Sequence, residues 1–289
     1  MALDLLVLRG LGLGDLLTGL PALRALRRAF PGHRLVLAAP TTYREILGGE
    51  VDAWLDVSGP GPVPLDTCDI AVNLHGRGPQ SVAALRAVGP RLLMSHTTGP
   101  PWDPGVHEVT RWCDLLRWYG LDADPADLRL GSGGRTGPVV IHPGAASAAR
   151  RWPPDRFAEV ATWLHGAGWP VVVTAGPGEG ALAEQAAGPE GVALAPTLRE
   201  LAGLVRGARL LICGDTGVAH LASAFGTPSV VLFGPTPPVL WGPPPGPHHV
   251  LWHGRTGDPH GRAPDPGLLE ITIDEVLGAA RDLLEVRVT

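Results

Sequence analysis

Three short stretches of the chain carry residues whose types and spacing suit chemistry on a charged ligand. The first is RGLGLGD, Arg9 to Asp15, in which spaced glycines lead to a carboxylate. A carboxylate where an apolar strand turns into a helix is placed to act as a general base; its purely structural role there is to cap the helix. Gly10, Gly12 and Gly14 approach the dinucleotide fingerprint G-x-G-x-x-G, but Asp15 stands where the last glycine belongs. The following strand, ending VLAAP, has no acid for a ribose hydroxyl, so a nicotinamide cofactor is not expected.

The second stretch is HPGAASAARRWPPDRF, His142 to Phe157. Small residues after a strand let backbone amides approach a ligand, Ser147 offers a hydroxyl, and Arg150 and Arg151 supply guanidinium groups that grip phosphate in bidentate fashion. A solvated turn with the arginines stacked on Trp152 is the bland alternative. The third stretch is GDTGVAH, Gly214 to His220. Asp-Thr-Gly after an apolar run is also how an aspartic protease presents its carboxylate. Those enzymes are β-rich, whereas Ala219, Leu221, Ala222 and Phe225 here keep helical spacing. Thr216 and Gly217 then begin a helix whose first amides are unpaired and carry the positive end of its dipole, a seat for a diphosphate. Asp215 would orient that site or receive a sugar hydroxyl. His220, about one turn in, either donates to phosphate or is a buried structural histidine.

His248, His249, His253 and His260 match no zinc spacing, and GPPPGPHH reads as a surface loop, so no metal centre is expected. No Asp-x-Asp pair is present to hold a divalent ion on a nucleotide, which leaves charge neutralisation to cationic side chains.

The elements that must position these groups follow from the pattern of apolar runs. LDLLVLRG, RLVLAAP, WLDVS, IAVNL and RLLMS read as strands of a first half, with helices over DLLTGLPALRALRRAF and VTRWCDLLRWYG. After the glycine-rich segment LRLGSGGRTGP, residues 128–138, strand and helix alternate through PVVIHPG, PPDRFAEVATWLHGAG, WPVVVTAG, GALAEQAA, GVALAP, LRELAGLVRGA, RLLICGD, TGVAHLASAFG and PSVVLFGPT. Strands apolar on both faces that alternate with helices imply parallel sheets built of βαβ units. TIDEVLGAARDLLEV is a last helix, with Thr272 and Glu275 as its capping box.

Bulk composition narrows the function. A chain of 289 residues with 45% hydrophobic residues holds material for two cores. A net charge of -5 with interspersed signs offers no basic face, which excludes a polynucleotide partner. No lysine occurs, so any phosphate clamp uses arginine. Cys68, Cys113 and Cys213 are three in number and widely spaced, and support neither a disulfide framework nor a zinc site. No cationic segment precedes the first apolar run, and no run reaches the roughly 18 residues of a bilayer span. A cytoplasmic protein with at most peripheral membrane contact is expected.

Together these stretches resemble glycosyltransferase family 9, the family of the ADP-heptose:lipopolysaccharide heptosyltransferases. The resemblance rests on GLGDLLTGLPALRALRRAFP, on HPGAASAARRWPPDRFAEVA with TAGPGE, and above all on DTGVAHLASAFGTP followed by FGPT. It implies an α/β protein of GT-B architecture, two Rossmann-like domains facing across a cleft. On this basis 1–133 would bind acceptor, 134–270 would bind a nucleotide-sugar donor, and a terminal helix over 271–289 would be free to pack back on the first domain. The resemblance implies that Asp15 is the catalytic base. It gives Ser147 and Arg150 the donor diphosphate, Glu179 the donor ribose, and Asp215, Thr216, Gly217 and His220 the donor-binding helix start. The implied reaction is inverting and metal-independent, with no cofactor, the donor being ADP-heptose or a relative and the acceptor a glycan or small-molecule hydroxyl. The first half lacks the lysine-rich face suited to phosphorylated lipid A core, which argues against a lipopolysaccharide acceptor. An epimerase of nucleotide sugars on the same architecture and a non-catalytic sugar-nucleotide-binding subunit are the competing readings.

Overall fold

The computed structural model describes residues 3–189 and 191–285, and the chain divides into two units, Met1–Leu128 and Arg129–Thr289. The boundary falls inside the segment LRLGSGGRTGP, at its amino-terminal end and five residues before the division expected at 133/134.

The first unit holds a parallel sheet of five strands in the order β3-β2-β1-β4-β5. These are β1 (Leu3–Leu8), β2 (His33–Ala39), β3 (Ala53–Asp56), β4 (Ile70–Asn73) and β5 (Leu92–Met94). The connecting helices are α1 (Leu13–Thr18), α2 (Leu20–Ala29), α3 (Arg44–Leu47), α4 (Gln80–Ala87) and α5 (Glu108–Trp118). The single helix expected over 15–30 is broken at Gly19, whose amide closes α1 onto Asp15 and Leu16 carbonyls while Pro21 starts α2. Helix α4 has weak apolar periodicity and was not evident in the sequence; Val82 and Leu85 alone anchor its inner face.

The second unit repeats the plan with six strands: β6 (Val139–His142), β7 (Val171–Thr174), β8 (Val192–Leu194), β9 (Leu210–Gly214), β10 (Ser229–Leu232) and β11 (His248–Leu251). Their order is β11-β10-β9-β6-β7-β8, all parallel. Counted within the unit this is 3-2-1-4-5-6, the doubly wound order of dinucleotide-binding folds. The helices are α6 (Pro154–Gly166), α7 (Gly180–Ala187), α8 (Leu198–Gly207), α9 (Gly217–Phe225), α10 (Pro238–Trp241), α11 (Pro266–Leu269) and α12 (Ile273–Glu285). His248 and His249, expected in a surface loop, are the first residues of β11, an edge strand paired with β10. The proline-rich run ahead of them hides a strand only four residues long.

Each unit has its own core. Leu6, Leu8, Val36, Ala71 and Leu85 form that of the first, and Ile141, Trp152, Phe157, Ile212, Leu232 and Leu268 that of the second. The terminal helix α12 buries Val276, Leu277, Ala280 and Leu284 in this second core. Its capping box forms as expected, Glu275 accepting from the Thr272 amide at 2.8 Å and Thr272 Oγ1 from the Glu275 amide at 3.3 Å; residues 286–289 of the expected segment lie outside the described residues. Among the described residues no helix is long and apolar enough to cross a membrane.

Candidate functional site

Ligands of open parallel sheets bind beyond the carboxyl ends of the strands, where the strand order reverses. In the second unit that point lies between β6 and β9, which pair with His142 opposite Cys213. The loops that leave these two strands are the second and third stretches singled out above, and their adjacency follows from the topology.

Arg150 bridges them. Its Nη1 donates to the Asp215 carbonyl at 3.2 Å and lies 3.6 Å from the Asp215 carboxylate, a group only 6% exposed. Gly214 permits the approach, since a Cβ there would stand 2.8 Å from the Arg150 carbonyl oxygen. Thr216 is the extended N-cap of α9 and makes no side-chain capping bond. The Thr216 hydroxyl thus does not cap α9, and the positive end of that helix follows directly on Asp215, the residue that Arg150 contacts. His220, half-buried in the first turn, meets the Trp241 ring edge-on at 6.0 Å.

Ser147 differs from the expected arrangement. Its hydroxyl donates to the Pro259 carbonyl at 2.5 Å, and Arg150 Nε is 3.5 Å away. The same segment is tied down by Ala149 N–H to Gly261 O and Asp265 N–H to Ala149 O, each 3.1 Å. The hydroxyl proton is thus committed to the 257–265 loop, a partner more than a hundred residues away that no local signal in the sequence announces. Glu179 is gripped by Arg151 Nη2 at 3.1 Å and by the Gly176 amide at 3.0 Å. A Cβ on Gly144 would fall 1.9 Å from its Oε2, so this glycine keeps a slot open for the carboxylate. Arg151 also donates to the Ala145 carbonyl at 3.0 and 2.7 Å, which shapes the small-residue loop. Of the paired arginines, then, Arg150 reaches Asp215 and Arg151 reaches Glu179. His142 contacts Thr174 Oγ1 at 3.0 Å; burial pushes its pKa down, against the raising influence of Glu179, and keeps the ring neutral near pH 7.

In the first unit the strand order reverses between β1 and β4, and Asp15 lies just beyond β1. It is not the N-cap of α1. That place is held by Gly12, and Asp15 is the third helical residue. The side chain is 31% exposed, and its pKa is raised: burial is the largest cause and the Glu108 charge adds to it, against the lowering pull of Arg9 and the backbone amides. A partly open carboxylate with a raised pKa is suited to accept a proton.

Arg9 organises this edge and was missed as a site residue. It is 1% exposed, and it donates to the Asp15 backbone carbonyl, to the Leu74 carbonyl beyond β4, to Thr18 Oγ1 at 3.0 Å and to Glu108 Oε1 at 3.0 Å. Glu108, in the first turn of α5, also accepts from Trp112 Nε1 at 2.9 Å and Arg111 Nε at 3.1 Å. Although burial opposes it, the combined pull of Arg9, Arg111 and Trp112 leaves the Glu108 pKa lowered. A lone cation closing the apolar run LDLLVLR was the one visible trace of Arg9, and nothing in the sequence linked it to a residue 99 positions on.

Residues 121–260 match the family model described as Glycosyltransferase family 9 (heptosyltransferase). Lipopolysaccharide heptosyltransferase 3 of Escherichia coli is 40% identical over 113 residues, 36% of this chain and 33% of that protein. The chain matches about a third of the length of the curated relatives it resembles. Over the whole fold, the glycosyl transferase family 9 structure from Veillonella parvula DSM 2008 superposes with a TM-score of 0.79 at 22% identity, covering 98% of both chains. The E. coli ADP-heptose lps heptosyltransferase II structure gives 0.78 at 20% identity, again over 98% of both. Two Rossmann-like domains with parallel sheets, shared with these structures, give the chain the GT-B fold class. Within that class the likeness in sequence to glycosyltransferase family 9 and its heptosyltransferases is carried by residues 121–260, while the rest of the chain shares their fold.

Proposed function

We propose that this chain is an inverting, metal-independent glycosyltransferase that moves a sugar from a nucleotide-sugar donor, ADP-heptose or a relative, to a hydroxyl of a glycan or small molecule in the cytoplasm. The observation that carries the reading is the junction at the second switch point, where Arg150 contacts Asp215 and α9 begins at the next residues without a cap from the Thr216 side chain. The donor diphosphate sits there, its β-phosphate near Thr216 and Gly217, with Glu179 toward the ribose. The donor's identity is favoured by the heptosyltransferase relatives and by the named substrate of the E. coli structure.

In this reading Asp15 takes the proton of the acceptor hydroxyl as its oxygen bonds to the anomeric carbon. The bond from that carbon to the diphosphate oxygen breaks, and its electron pair leaves with the nucleoside diphosphate. Attack opposite the leaving group inverts the anomeric centre. Arg150 and the amides of α9 stabilise the charge that grows on the leaving diphosphate, an electrostatic contribution of the kind that dominates many transition states. The guanidinium and the helix dipole together take the place of a divalent ion in this step.

The test is incubation of the full chain with ADP-heptose and a panel of hydroxyl acceptors, with ADP release assayed in chelator and the product's anomeric configuration read by NMR. Acceptor-dependent ADP release with an inverted glycoside is expected. Isomerised donor in the absence of any acceptor would establish an epimerase instead. Arg150→Ala should weaken ADP binding by calorimetry roughly tenfold to a hundredfold, the loss of a charge-assisted contact of about 1.5–3 kcal/mol. Unaltered affinity would remove Arg150 from the diphosphate site.

A further inference from the structure

The polar cluster beneath Asp15 is more elaborate than a general base requires. Guanidinium Nη2 of Arg9 has two protons, and both have partners at 3.0 Å: Thr18 Oγ1 and Glu108 Oε1. The Asp15 carboxylate lies 3.9 Å from that same nitrogen, too far for a hydrogen bond. Arg9 thus neutralises Glu108 directly and attracts Asp15 only through space. Glu108 is in turn fixed by Trp112 Nε1 and Arg111 Nε, and the Arg9 guanidinium carbon lies 4.7 Å from the Trp112 ring centroid.

We propose that Glu108 is a positioning residue for the Asp15 base: it holds the Arg9 guanidinium to itself at 3.0 Å, so that Asp15, 3.9 Å away, keeps its place without the direct hydrogen bond from Arg9 that would weaken it further as a base. The inference rests on the reading of Asp15 as base, which it deepens. A carboxylate bonded directly to an arginine becomes a much weaker proton acceptor, whereas one left beside an arginine that another carboxylate compensates is weakened less. The other titratable and charged groups around Asp15 do not take over this role. Tyr43, in the turn after β2, has its pKa raised by burial and then by the Asp15 charge, so it is a neutral phenol at pH 7. His75, beyond β4, has its pKa lowered by burial and by Arg9 and is neutral there too. Arg111 is engaged with Glu108 and with the carbonyls of Asp103 and Val106.

The decisive experiment compares Glu108→Gln with the parent in the full chain. The Asp15 carboxyl carbon is titrated by NMR, its signal assigned by its disappearance in Asp15→Asn, and kcat is measured across the same pH range. With the Glu108 charge removed, Arg9 is left to Asp15. The Asp15 midpoint should fall by about one pH unit or more, as for a carboxylate gaining an arginine partner. The acid limb of kcat should fall with it, and the plateau should drop because the base is weaker. A midpoint that stays in place, whatever happens to kcat or melting temperature, would overturn the proposal, since a merely structural Glu108 predicts that result. Should Glu108→Gln not fold, Glu108→Asp withdraws the carboxylate by one methylene and is read the same way, with a smaller downward shift expected. The reading beneath is judged separately: turnover retained in Asp15→Asn removes Asp15 as base without touching the titration result.

Discussion

Asp15 carries two opposed demands. Its raised pKa makes it a better proton acceptor, and the same shift means that the fold disfavours its ionised form. The sign follows from linkage: with the folded pKa above the unfolded value, the destabilisation is absent below the unfolded pKa and fully present above the folded one. Asp15→Asn should therefore melt no lower than the parent at pH 7.5 while turnover falls roughly 100-fold or more, the usual contribution of general-base catalysis. Thermal denaturation and ADP-release assays on the same preparation check both halves, and a variant with normal turnover would end the role of Asp15. Because a general base acts in its ionised form, the proposed role of Asp15 requires that parent activity be lost on acidification at a pH above that of an ordinary aspartate. The residues that support this group, Arg9 and Glu108, join segments that no spacing rule connects, which is why the sequence pointed to the base and not to its supports.

At the scale of elements, the site depends on close approaches that only glycine allows. Gly144 sits against the Glu179 carboxylate and Gly214 against the Arg150 carbonyl. Gly144→Ala should displace Glu179 and destabilise the second unit by about 1–3 kcal/mol, as overpacking does. Urea titration and ADP calorimetry measure the two effects, and a variant that matches the parent in both would show that the slot is loose. The strand-helix alternation was legible in the sequence because buried parallel strands are apolar on both faces and stand out as runs. Elements without such a signal escaped: α4, with its weak periodicity, β11, four residues after a proline-rich run, and the break at Gly19 within an otherwise continuous helical pattern.

At the scale of the molecule, the candidate donor site is drawn wholly from residues of the second unit, which has its own core. Residues 129–289 expressed alone should then fold and bind ADP with the affinity of the full chain. A Kd weaker by more than about tenfold, a loss of about 1.4 kcal/mol, would show that the donor site draws on the first unit. The core of the second unit centres on Trp152, which is fully buried, stands 4.9 Å edge-on from Phe157 and donates to the Ile271 carbonyl at 3.1 Å. Trp152→Ala should cost about 3–5 kcal/mol in denaturant unfolding of the fragment. Trp152 follows Arg150 and Arg151 directly, so its burial also sets where the small-residue loop 143–151 leaves the core.

Sequence alone determined the class of fold and the three stretches that bear chemistry, because periodicity, glycine spacing and helix starts are local properties written over a few neighbouring residues. It also decided against the protease reading of Asp-Thr-Gly, since helical spacing after Asp215 is local too. What Asp15, Ser147 and Glu179 each touch was decided by the tertiary structure. Asp15 shares Arg9 with Glu108, Ser147 is committed to the Pro259 carbonyl, and Glu179 answers to Arg151 and Gly176. These partners come from loops and helices distant in sequence that the two sheets bring together in space, and proton affinity and hydrogen-bond commitment depend on that proximity.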